Sequence, residues 1–452
     1  MAYPYQSWGR WPRVAQDVRR MDWRSDPLPT EQGRSLLPRG LGRSYGDCCL
    51  NEGNLLLDAC PLDRFIRFDA EKGILRCEAG ASFDTILRLI VPRGWFLPVV
   101  PGTRFVTLGG AIANDIHGKN HHRVGTFGRY LKAFELLRSD GSRRVCSPTE
   151  HADLFRATIG GLGLTGLITW AEIELIRIRS AWIDSETVRF GGLSEFFPIS
   201  RDSSKFEYTV AWVDFSATGK SLGRGLFLRG NQSAHGGLEV HRDPKVSIPV
   251  ELPNCVLSPF SIRAFNLAWY HRQQKPVKSS HTHYEPFCFP LDRVGNWNRI
   301  YGLRGFFQYQ CVLPCEGDSG CLQEIVDRIA HSRQGSFLAV LKTFGDLPSP
   351  GMLSFPRPGV TLALDFPNGG DNTLRLMEGL DAVVEQAGGC LYPAKDARMS
   401  PHRFQKMYPR WREFAEFVDP SFSSSFWRRV TAPVRPERGN VAAHPKLSSV
   451  FS

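Results

Sequence analysis

The spacing of apolar and polar positions predicts a mixed order of strands and helices in the first 180 residues. Residues 83–91 carry apolar side chains at helical spacing, and Pro92-Arg93-Gly94 is a stop signal. Residues 134–137 and 143–146 flank Ser139-Asp140-Gly141 and predict a β-hairpin. The other predicted elements are strands at 55–58, 73–77 and 167–178 and a short helix at 153–158.

From about residue 179 the pattern changes to longer strands that are separated by irregular, basic loops. This change predicts a second domain built on an antiparallel sheet, with strands at 209–213, 306–313, 337–341 and 360–364. Residues 236–280 have little regular periodicity, and we expect part of that segment to be mobile. Residues 433–452 have the character of a tail.

The chain is long enough for two domains or a discontinuous arrangement, since it has 452 residues. Lys and Arg outnumber Asp and Glu by 56 to 45, for a net charge of +11, but the charges are scattered. This balance indicates a basic soluble protein that favours phosphate-bearing ligands or anionic lipid, and it argues against nucleic acid as a partner. The sequence shows neither a signal peptide nor a long apolar stretch, so we expect a cytoplasmic protein, with peripheral membrane association as an option.

Metal binding is not predicted, although two clusters offer ligand atoms. Eleven cysteines include no Cys-x-x-Cys pair, and the odd total favours a reducing compartment. Cys311, Cys315 and Cys321 lie close together but lack a nearby histidine at ligand spacing. His117 and His121 are four residues apart, but the glycine that follows His117 argues against a rigid helix there.

Two glycine-rich segments carry most of the functional information. The first, residues 38–47, can turn sharply and present N–H groups to a phosphate, although a plain tight loop is the alternative. We expect no Rossmann fold there, because we see neither a leading apolar strand nor a following amphipathic helix. In the second, residues 101–122, small residues permit close approach of a planar or pyrophosphate ligand. A helix that starts near Gly109 would aim free N–H groups at an anion.

Together these segments resemble the FAD domain of the vanillyl-alcohol oxidase superfamily and, more narrowly, the decaprenylphosphoryl-β-D-ribose oxidase family. That family provides the flavin subunit of an epimerase pair. The resemblance covers most of the chain. Its markers are Trp8-Gly9-Arg10, the loop from Gly40 to Asp47, the run from Pro101 to His122, the segment from Gly160 to Gly166, Asp365-Phe366-Pro367, and the segment from Tyr392 to Arg398.

The resemblance implies an α+β fold with a discontinuous FAD-binding domain of the PCMH type. Residues 1–180 would form the two subdomains that hold FAD, and residues 390–452 would return to close them. Residues 181–389 would form a substrate domain on an antiparallel sheet with flanking helices.

The same resemblance implies which residues hold FAD. Many superfamily members attach the flavin through a histidine in a Gly-x-Gly-His-Ser loop, where this chain has Arg43, so a non-covalent cofactor is expected. The expected FAD contacts are Arg39, Gly40, Leu41, Gly42, Arg43, Ser44, Tyr45 and Gly46 around the pyrophosphate, Gly102, Thr107, Leu108, Gly109, Gly110, Asn114, Ile116 and His117 along the flavin and ribityl chain, Ile168 near the adenine, and Tyr392 near the flavin.

Oxidation of a secondary alcohol needs a group that takes the hydroxyl proton beside the flavin. Lys395 is the first candidate, because desolvation would lower its pKa enough for proton transfer. Tyr45 and His117 follow. Each candidate has an alternative role. Lys395 could be an ordinary surface lysine, Tyr45 could pack against the flavin without transferring a proton, and His117 could be a hydrogen-bonded scaffold residue.

By the same resemblance, six residues of the second domain line the substrate pocket. Family members commonly carry Cys and Asn where this chain has Ala363 and Thr361, which puts the exact substrate in doubt. Lys342 suits a phosphate, and Gln310 suits a sugar hydroxyl or a core polar network. The six are Trp212, Gln308, Gln310, Lys342, Thr361 and Ala363.

The leading hypothesis is FAD-dependent oxidation at C2′ of a polyprenyl-phosphate ribose, as the first half of an epimerisation. A nicotinamide-dependent short-chain reductase would complete the inversion. One alternative is an FAD oxidase of a soluble sugar, polyol or sugar-bearing natural product. Another, of a different class, is a non-catalytic basic protein that binds RNA or a membrane.

Overall fold

The computed structural model describes residues 5–244, 246–314 and 320–433. Up to residue 180 the chain alternates short strands and helices. In chain order they are β1 (Asp17–Arg20), β2 (Leu36–Arg39), β3 (Leu55–Asp58), β4 (Phe65–Asp69), β5 (Ile74–Glu78), α1 (Phe83–Ile90), β6 (Trp95–Phe96), α2 (Leu108–Ala113), α3 (His121–Val124), β7 (Leu131–Leu137), β8 (Arg143–Cys146), α4 (Ala152–Thr158), β9 (Leu167–Glu174) and β10 (Ile176–Arg177).

These strands form a small parallel sheet, a five-stranded antiparallel sheet and an antiparallel pair of β6 with β10. The parallel sheet has the order β1-β3-β2, and the three leucines of β3 at its centre are fully buried. The second sheet has the order β4-β5-β9-β7-β8 and contains the predicted hairpin, in which Phe134 pairs with Cys146. The predicted helix at 83–91 is confirmed: Ser82 caps α1, and Gly94 in the left-handed region follows its last turn.

Beyond residue 180 the elements build one large sheet, one short two-stranded parallel sheet and several helices. They are β11 (Trp182–Phe190), α5 (Phe196–Asp202), β12 (Tyr208–Asp214), β13 (Arg224–Gln232), β14 (Val246–Ser247), α6 (Pro259–His271), β15 (Val277–His283), α7 (Tyr284–Cys288), β16 (Val294–Gly295), β17 (Phe306–Leu313), α8 (Gly320–Ser332), β18 (Ala339–Phe344), β19 (Gly359–Pro367), α9 (Asp371–Gln386), β20 (Cys390–Leu391), α10 (Pro401–Met407), α11 (Trp411–Ala415) and α12 (Ser425–Val430).

The large sheet has eight antiparallel strands in the order β15-β11-β13-β12-β18-β19-β17-β20. Its two faces have different roles, because side chains alternate along a strand. On β19, Leu362 and Leu364 join the same apolar core as α8 and α9, whereas Ala363 between them faces a cavity. The predicted α+β class is confirmed. Among the described residues no helix has the length and apolar character needed to cross a bilayer.

Several element predictions were wrong in detail. Residues 236–280, for which no element was predicted, contain the thirteen-residue helix α6 and the start of β15. The strand predicted at 337–341 begins at Ala339, because Ser336 forms a local turn with Leu338. The strand predicted at 167–178 is divided at Leu175 into β9 and β10. Most of the predicted tail, residues 434–452, lies outside the described residues.

The C-terminal segment returns to the N-terminal region. Leu36 donates a backbone hydrogen bond to Ser421, and Tyr45 donates one to Ala394. Arg429 on α12 forms ion pairs with Asp47 and Asp396. Residues 390 and 391 pair with β17 at the edge of the large sheet, and the predicted boundary at 389/390 stays a prediction.

Candidate active site

A cavity of about 860 Å³ is lined by residues from both halves of the chain. Its walls come from the glycine-rich segments of the first 170 residues, the open face of the large sheet, and the segment that contains Tyr392 and Lys395. The volume lies near the upper end of the range for small-molecule sites.

The loop from Gly40 to Asp47 is held close to its neighbours. A Cβ atom on Gly40 would lie 2.2 Å from the hydroxyl oxygen of Thr107, and Gly42 has a φ of +62°. Trp8 donates a backbone hydrogen bond to Ser44 at 2.8 Å. The expectation that no apolar strand leads into this loop was wrong, because β2 runs directly into it. No amphipathic helix follows the loop, as expected, since the next element is a 3₁₀ turn at Asp47–Cys49.

Arg43 occupies the position where many superfamily members carry the histidine that binds flavin. Its guanidinium lies 4.0 Å from the centre of the Trp8 ring, and Nε donates a hydrogen bond to the carbonyl of Phe105 at 3.1 Å. Burial lowers the pKa of Arg43. The side chain is thereby fixed at the cavity wall.

The first N–H groups of α2 do not point freely into the cavity, so that expectation was wrong. Leu108 donates to the carbonyl of Ala81, and Gly109 donates to the carbonyl of Ala79 at 2.7 Å. Gly110 donates to the Thr107 side chain, which caps the helix. Gly109 instead permits close packing, since a Cβ atom there would lie 3.1 Å from that of Ala79.

Three buried polar atoms on residues that line the cavity have no hydrogen-bond partner among the described residues. They are Nε of Arg39, Oδ1 of Asn114 and Nδ1 of His117. A buried polar atom without a partner costs free energy, roughly 1–3 kcal/mol in mutational data. The cavity therefore offers donors and an acceptor to a polar ligand.

His117 is held in one neutral tautomer by its neighbours. Burial lowers the pKa of His117 well below its ordinary value, and the charges of Lys342, His121 and Lys395 lower it further. The amide nitrogen of Gln310 lies 3.0 Å from Nε2 of His117. Because an amide NH₂ only donates, Nε2 accepts and Nδ1 carries the proton.

Thr361 supports this arrangement from behind. Its hydroxyl accepts a hydrogen bond from the same Gln310 nitrogen at 3.3 Å and donates to the carbonyl of Cys311 at 2.8 Å. Both hydrogens of the Gln310 amide are therefore used, one on Thr361 and one on His117.

Lys395, Tyr45 and Asp365 form a second buried group. The ammonium nitrogen of Lys395 lies 3.8 Å from the centre of the Tyr45 ring. Burial lowers the pKa of Lys395 to about 7, and the nearby Asp365 carboxyl opposes that shift. Burial also raises the pKa of Tyr45 well above its ordinary value.

Asp365 lies beneath this pair on β19. Burial raises the pKa of Asp365 to about 7, although hydrogen bonds from Gln308 at 2.7 Å and Tyr301 at 3.0 Å act to lower it. Lys395 and Asp365 thus both titrate near neutrality and influence each other.

Three lysines converge on the cavity: Lys119, Lys342 and Lys395. Burial, together with the charges of Lys119 and Lys395, lowers the pKa of Lys342 to about 7. Burial also lowers the pKa of Lys119, whose ammonium donates to the carbonyl of Cys288 at 2.8 Å. In the described part of the chain, none of the three forms an ion pair within 4.0 Å. An anionic ligand would relieve this unbalanced charge.

Most of the predicted site residues line this one cavity, and three do not. Gly46 packs against the backbone of Asp396, Leu108 points into the apolar core, and Thr361 lies behind Gln310. Those that line it are Arg39, Gly40, Leu41, Gly42, Arg43, Ser44, Tyr45, Gly102, Thr107, Gly109, Gly110, Asn114, Ile116, His117, Ile168, Trp212, Gln308, Gln310, Lys342, Ala363, Tyr392 and Lys395.

Sequence reasoning missed Lys119 and Asp365 as members of the site. Both residues lie within segments that mark the family resemblance: Lys119 in the run from Pro101 to His122, and Asp365 in Asp365-Phe366-Pro367. A charged residue inside such a segment was the signal that could have identified them. The described residues hold no cluster of metal-binding side chains. His121 instead packs 4.3 Å from the centre of the Phe344 ring, and Cys315 lies outside the described residues.

Comparison with known proteins decides the family. Residues 28–147 match a model described as an FAD binding domain. The chain is 37% identical over 446 residues to decaprenylphosphoryl-beta-D-ribose oxidase of Mycolicibacterium smegmatis. The aligned region covers 93% of this chain and 96% of that protein. The chain belongs to the decaprenylphosphoryl-β-D-ribose oxidase family.

Two further relatives show how far the likeness extends. An uncharacterised protein of Streptomyces coelicolor is 32% identical over 368 residues, 77% of this chain and 99% of its own length. Human delta(24)-sterol reductase is 34% identical over only 111 residues, 25% of this chain. The similarity to the family therefore extends over almost the whole chain, whereas the similarity to the sterol reductase is confined to about a quarter of it.

Family membership makes the chain an FAD-dependent oxidoreductase that acts on a CH–OH group, and the non-catalytic alternative was wrong. The cavity fits FAD on its own features. The unpartnered Nε of Arg39 can donate to a phosphate oxygen, and the unpartnered Oδ1 of Asn114 can accept a hydrogen bond from an N–H or hydroxyl group of the cofactor.

Proposed function

We propose that this enzyme oxidises the C2′ hydroxyl of a ribose that is linked through phosphate to a polyprenyl lipid, giving the 2-keto sugar. The observation that carries the proposal is a pair of buried lysines, Lys119 and Lys342, which form no ion pair among the described residues and lie beside the residues that would hold FAD. A neutral sugar would leave their charge unbalanced, whereas a phosphodiester would balance it. The mycolicibacterial relative, named for a phosphorylated ribose substrate, supports the same class.

Lys395 takes the hydroxyl proton in this proposal. With its pKa lowered to about 7, a large fraction of the amine is neutral near pH 7 and can accept a proton. The O–H bond breaks toward Nζ, the C2′–H bond breaks with its electron pair, and a C=O bond forms. Bound FAD supplies the two-electron acceptor for that hydrogen. The resulting ammonium of Lys395 is stabilised by Asp365.

His117 and Lys342 position the substrate and cofactor. The Nδ1 proton of His117 is available as a hydrogen-bond donor, and because the ring stays neutral it does not compete with Lys395 for the proton. Lys342 meets the phosphate, and an approaching anion raises its pKa so that it becomes fully charged on binding. Binding and proton transfer thus use different lysines.

A soluble sugar or sugar-bearing natural product is the second candidate, and one observation favours it. Ala363 lines the cavity where family members commonly carry a cysteine, so this pocket is wider at that point. We also propose a partner for the first candidate, because a 2-keto sugar must be reduced to complete an epimerisation. A nicotinamide-dependent short-chain reductase is the class of enzyme that would do so.

Anaerobic flavin reduction separates these candidates. Purified holoenzyme would be mixed with a short-chain polyprenyl-phosphoryl ribose in detergent, with ribose 5-phosphate, or with free ribose, and flavin absorbance followed. Reduction only by the lipid phosphodiester supports the proposal, and Lys342→Met should then raise KM far more than it lowers kcat. Faster reduction by an unphosphorylated sugar would overturn it.

A further inference from the structure

Helix α6, Pro259–His271, carries large apolar side chains on its solvent side. Phe260 is 82% exposed and Leu267 is 48% exposed, with Ala264 exposed between them. Positions 260, 264 and 267 follow one another on one face of a helix. Such a contiguous apolar face marks an interaction site.

The opposite face of α6 is anchored, so the exposed side chains stand on a firmly seated helix. Ile262, Asn266 and Tyr270 are buried. The amide of Asn266 donates to Asp214 and to the carbonyl of Ser336, and the Tyr270 hydroxyl donates to the carbonyl of Phe190. Moving the helix inward to hide Phe260 would break these bonds.

A third side of α6 forms part of the cavity wall. Phe265 stacks on Trp269, and the guanidinium of Arg272 lies 3.4 Å from the centre of the Trp269 ring. All three residues line the cavity that contains Lys342 and Lys395. The exposed face therefore borders the ligand site.

The segment that contains α6 carries charged side chains of one sign. Between Glu251 and Glu285 the sequence has no Asp or Glu but contains Arg263, Arg272, Lys275 and Lys278. Each of these four cations is exposed. Aromatic and aliphatic side chains with flanking cations are the features of a helix that lies in the interface of an anionic membrane.

We propose that the exposed face of α6 docks on an anionic lipid bilayer, with Phe260 and Leu267 inserted among the acyl chains. The inference rests on the proposed function, because a membrane-resident polyprenyl substrate gives the docking its purpose. The sugar phosphate would reach the lysines through the wall formed by Phe265, Trp269 and Arg272, while the lipid tail stays in the bilayer.

Vesicle co-sedimentation of the full-length holoenzyme tests the proposal. We expect binding to vesicles of phosphatidylcholine mixed with phosphatidylglycerol, weaker binding to phosphatidylcholine alone, and loss of binding at high salt. The double variant Phe260→Ser/Leu267→Ser should bind at least about tenfold more weakly. Phe65→Ser, an exposed phenylalanine on β4, is the matched control and should bind like the wild type.

Activity separates this proposal from the proposed function. The double variant should oxidise a short-chain substrate in detergent at the wild-type rate, since neither residue lines the cavity, yet oxidise a long-chain substrate in vesicles slowly. Equal vesicle binding by variant and wild type would overturn the docking proposal. The docking proposal would also be overturned if the wild type did not bind vesicles. It would be overturned as well if a second copy of the chain or a reductase covered the exposed face of α6. Vesicle binding without oxidation of any lipid-linked ribose would instead overturn the proposed function alone.

Discussion

The side-chain amide of Gln310 donates a hydrogen bond to Nε2 of His117 across 3.0 Å, and it thereby decides which nitrogen of the imidazole carries the proton. Gln310 is itself oriented by Thr361, which family members commonly replace with asparagine. Thr361, which does not line the cavity, thus helps to determine through Gln310 which nitrogen of His117 can donate a hydrogen bond into it.

Removing the Gln310 amide should impair catalysis without releasing FAD. In Gln310→Met, Nε2 of buried His117 loses its donor, and both tautomers become accessible. We expect flavin reduction to slow by about tenfold or more, since losing about 1.4 kcal/mol is tenfold in rate. Stopped-flow absorbance measures it. Gln323→Met on α8 is the control, and an unchanged rate in Gln310→Met would contradict the assigned tautomer.

The rate of flavin reduction should rise as the pH increases through about 7, because Lys395 accepts a proton only when its amine is neutral. Asp365→Asn removes a negative charge that raises the pKa of Lys395, so the rising limb should move to lower pH. Lys395→Ala should keep FAD and lose about 10²-fold or more in rate. Pre-steady-state rates across the pH range measure these effects, and a limb unmoved by Asp365→Asn would refute the coupling.

Gly46→Ala should disrupt the cofactor loop. A Cβ atom there would lie 1.5 Å from the carbonyl oxygen of Asp396, so the loop and the C-terminal segment must separate. We expect loss of most bound FAD, measured by the ratio of absorbance at 450 and 280 nm. Gly53→Ala is the control variant, because Gly53 has a positive φ but a Cβ atom there would meet no other atom within 4 Å. It should lose about 1 kcal/mol of stability and keep FAD. Full FAD in Gly46→Ala would contradict this prediction.

FAD should be released by acid precipitation, because Arg43 stands where a histidine would form the covalent bond. The yellow colour should move entirely to the supernatant. Flavin that stayed with the precipitated protein would identify another attachment residue and refute this interpretation of Arg43.

Local signals predicted the local structure well. The α1 stop signal at Pro92-Arg93-Gly94 and the hairpin from β7 to β8 depend on neighbouring residues only, and both were found. Helix α6 was missed although Ser258 followed by Pro259, a helix-start signal, was visible in the sequence. The reason is physical: its solvent face is as apolar as its buried face, so no amphipathic period appears.

The site was harder to predict than the elements, because its chemistry depends on burial. The N–H groups of α2 looked available for an anion, yet Ala79 and Ala81, some thirty residues earlier, accept two of them. Likewise nothing in the sequence marks Asp365 as an acid with a pKa near 7. That property arises only when β19 packs its carboxyl among Gln308, Tyr301 and Lys395.

The ion pairs of Arg429 with Asp47 and Asp396 have a consequence for the order of events during synthesis. Asp47 and Arg429 are more than 380 residues apart in the sequence, so Asp47 is synthesised long before Arg429. Until residue 429 has been made and α12 has docked, the loop before Asp47 lacks these ion pairs. We therefore expect FAD to bind firmly only after translation has passed residue 429.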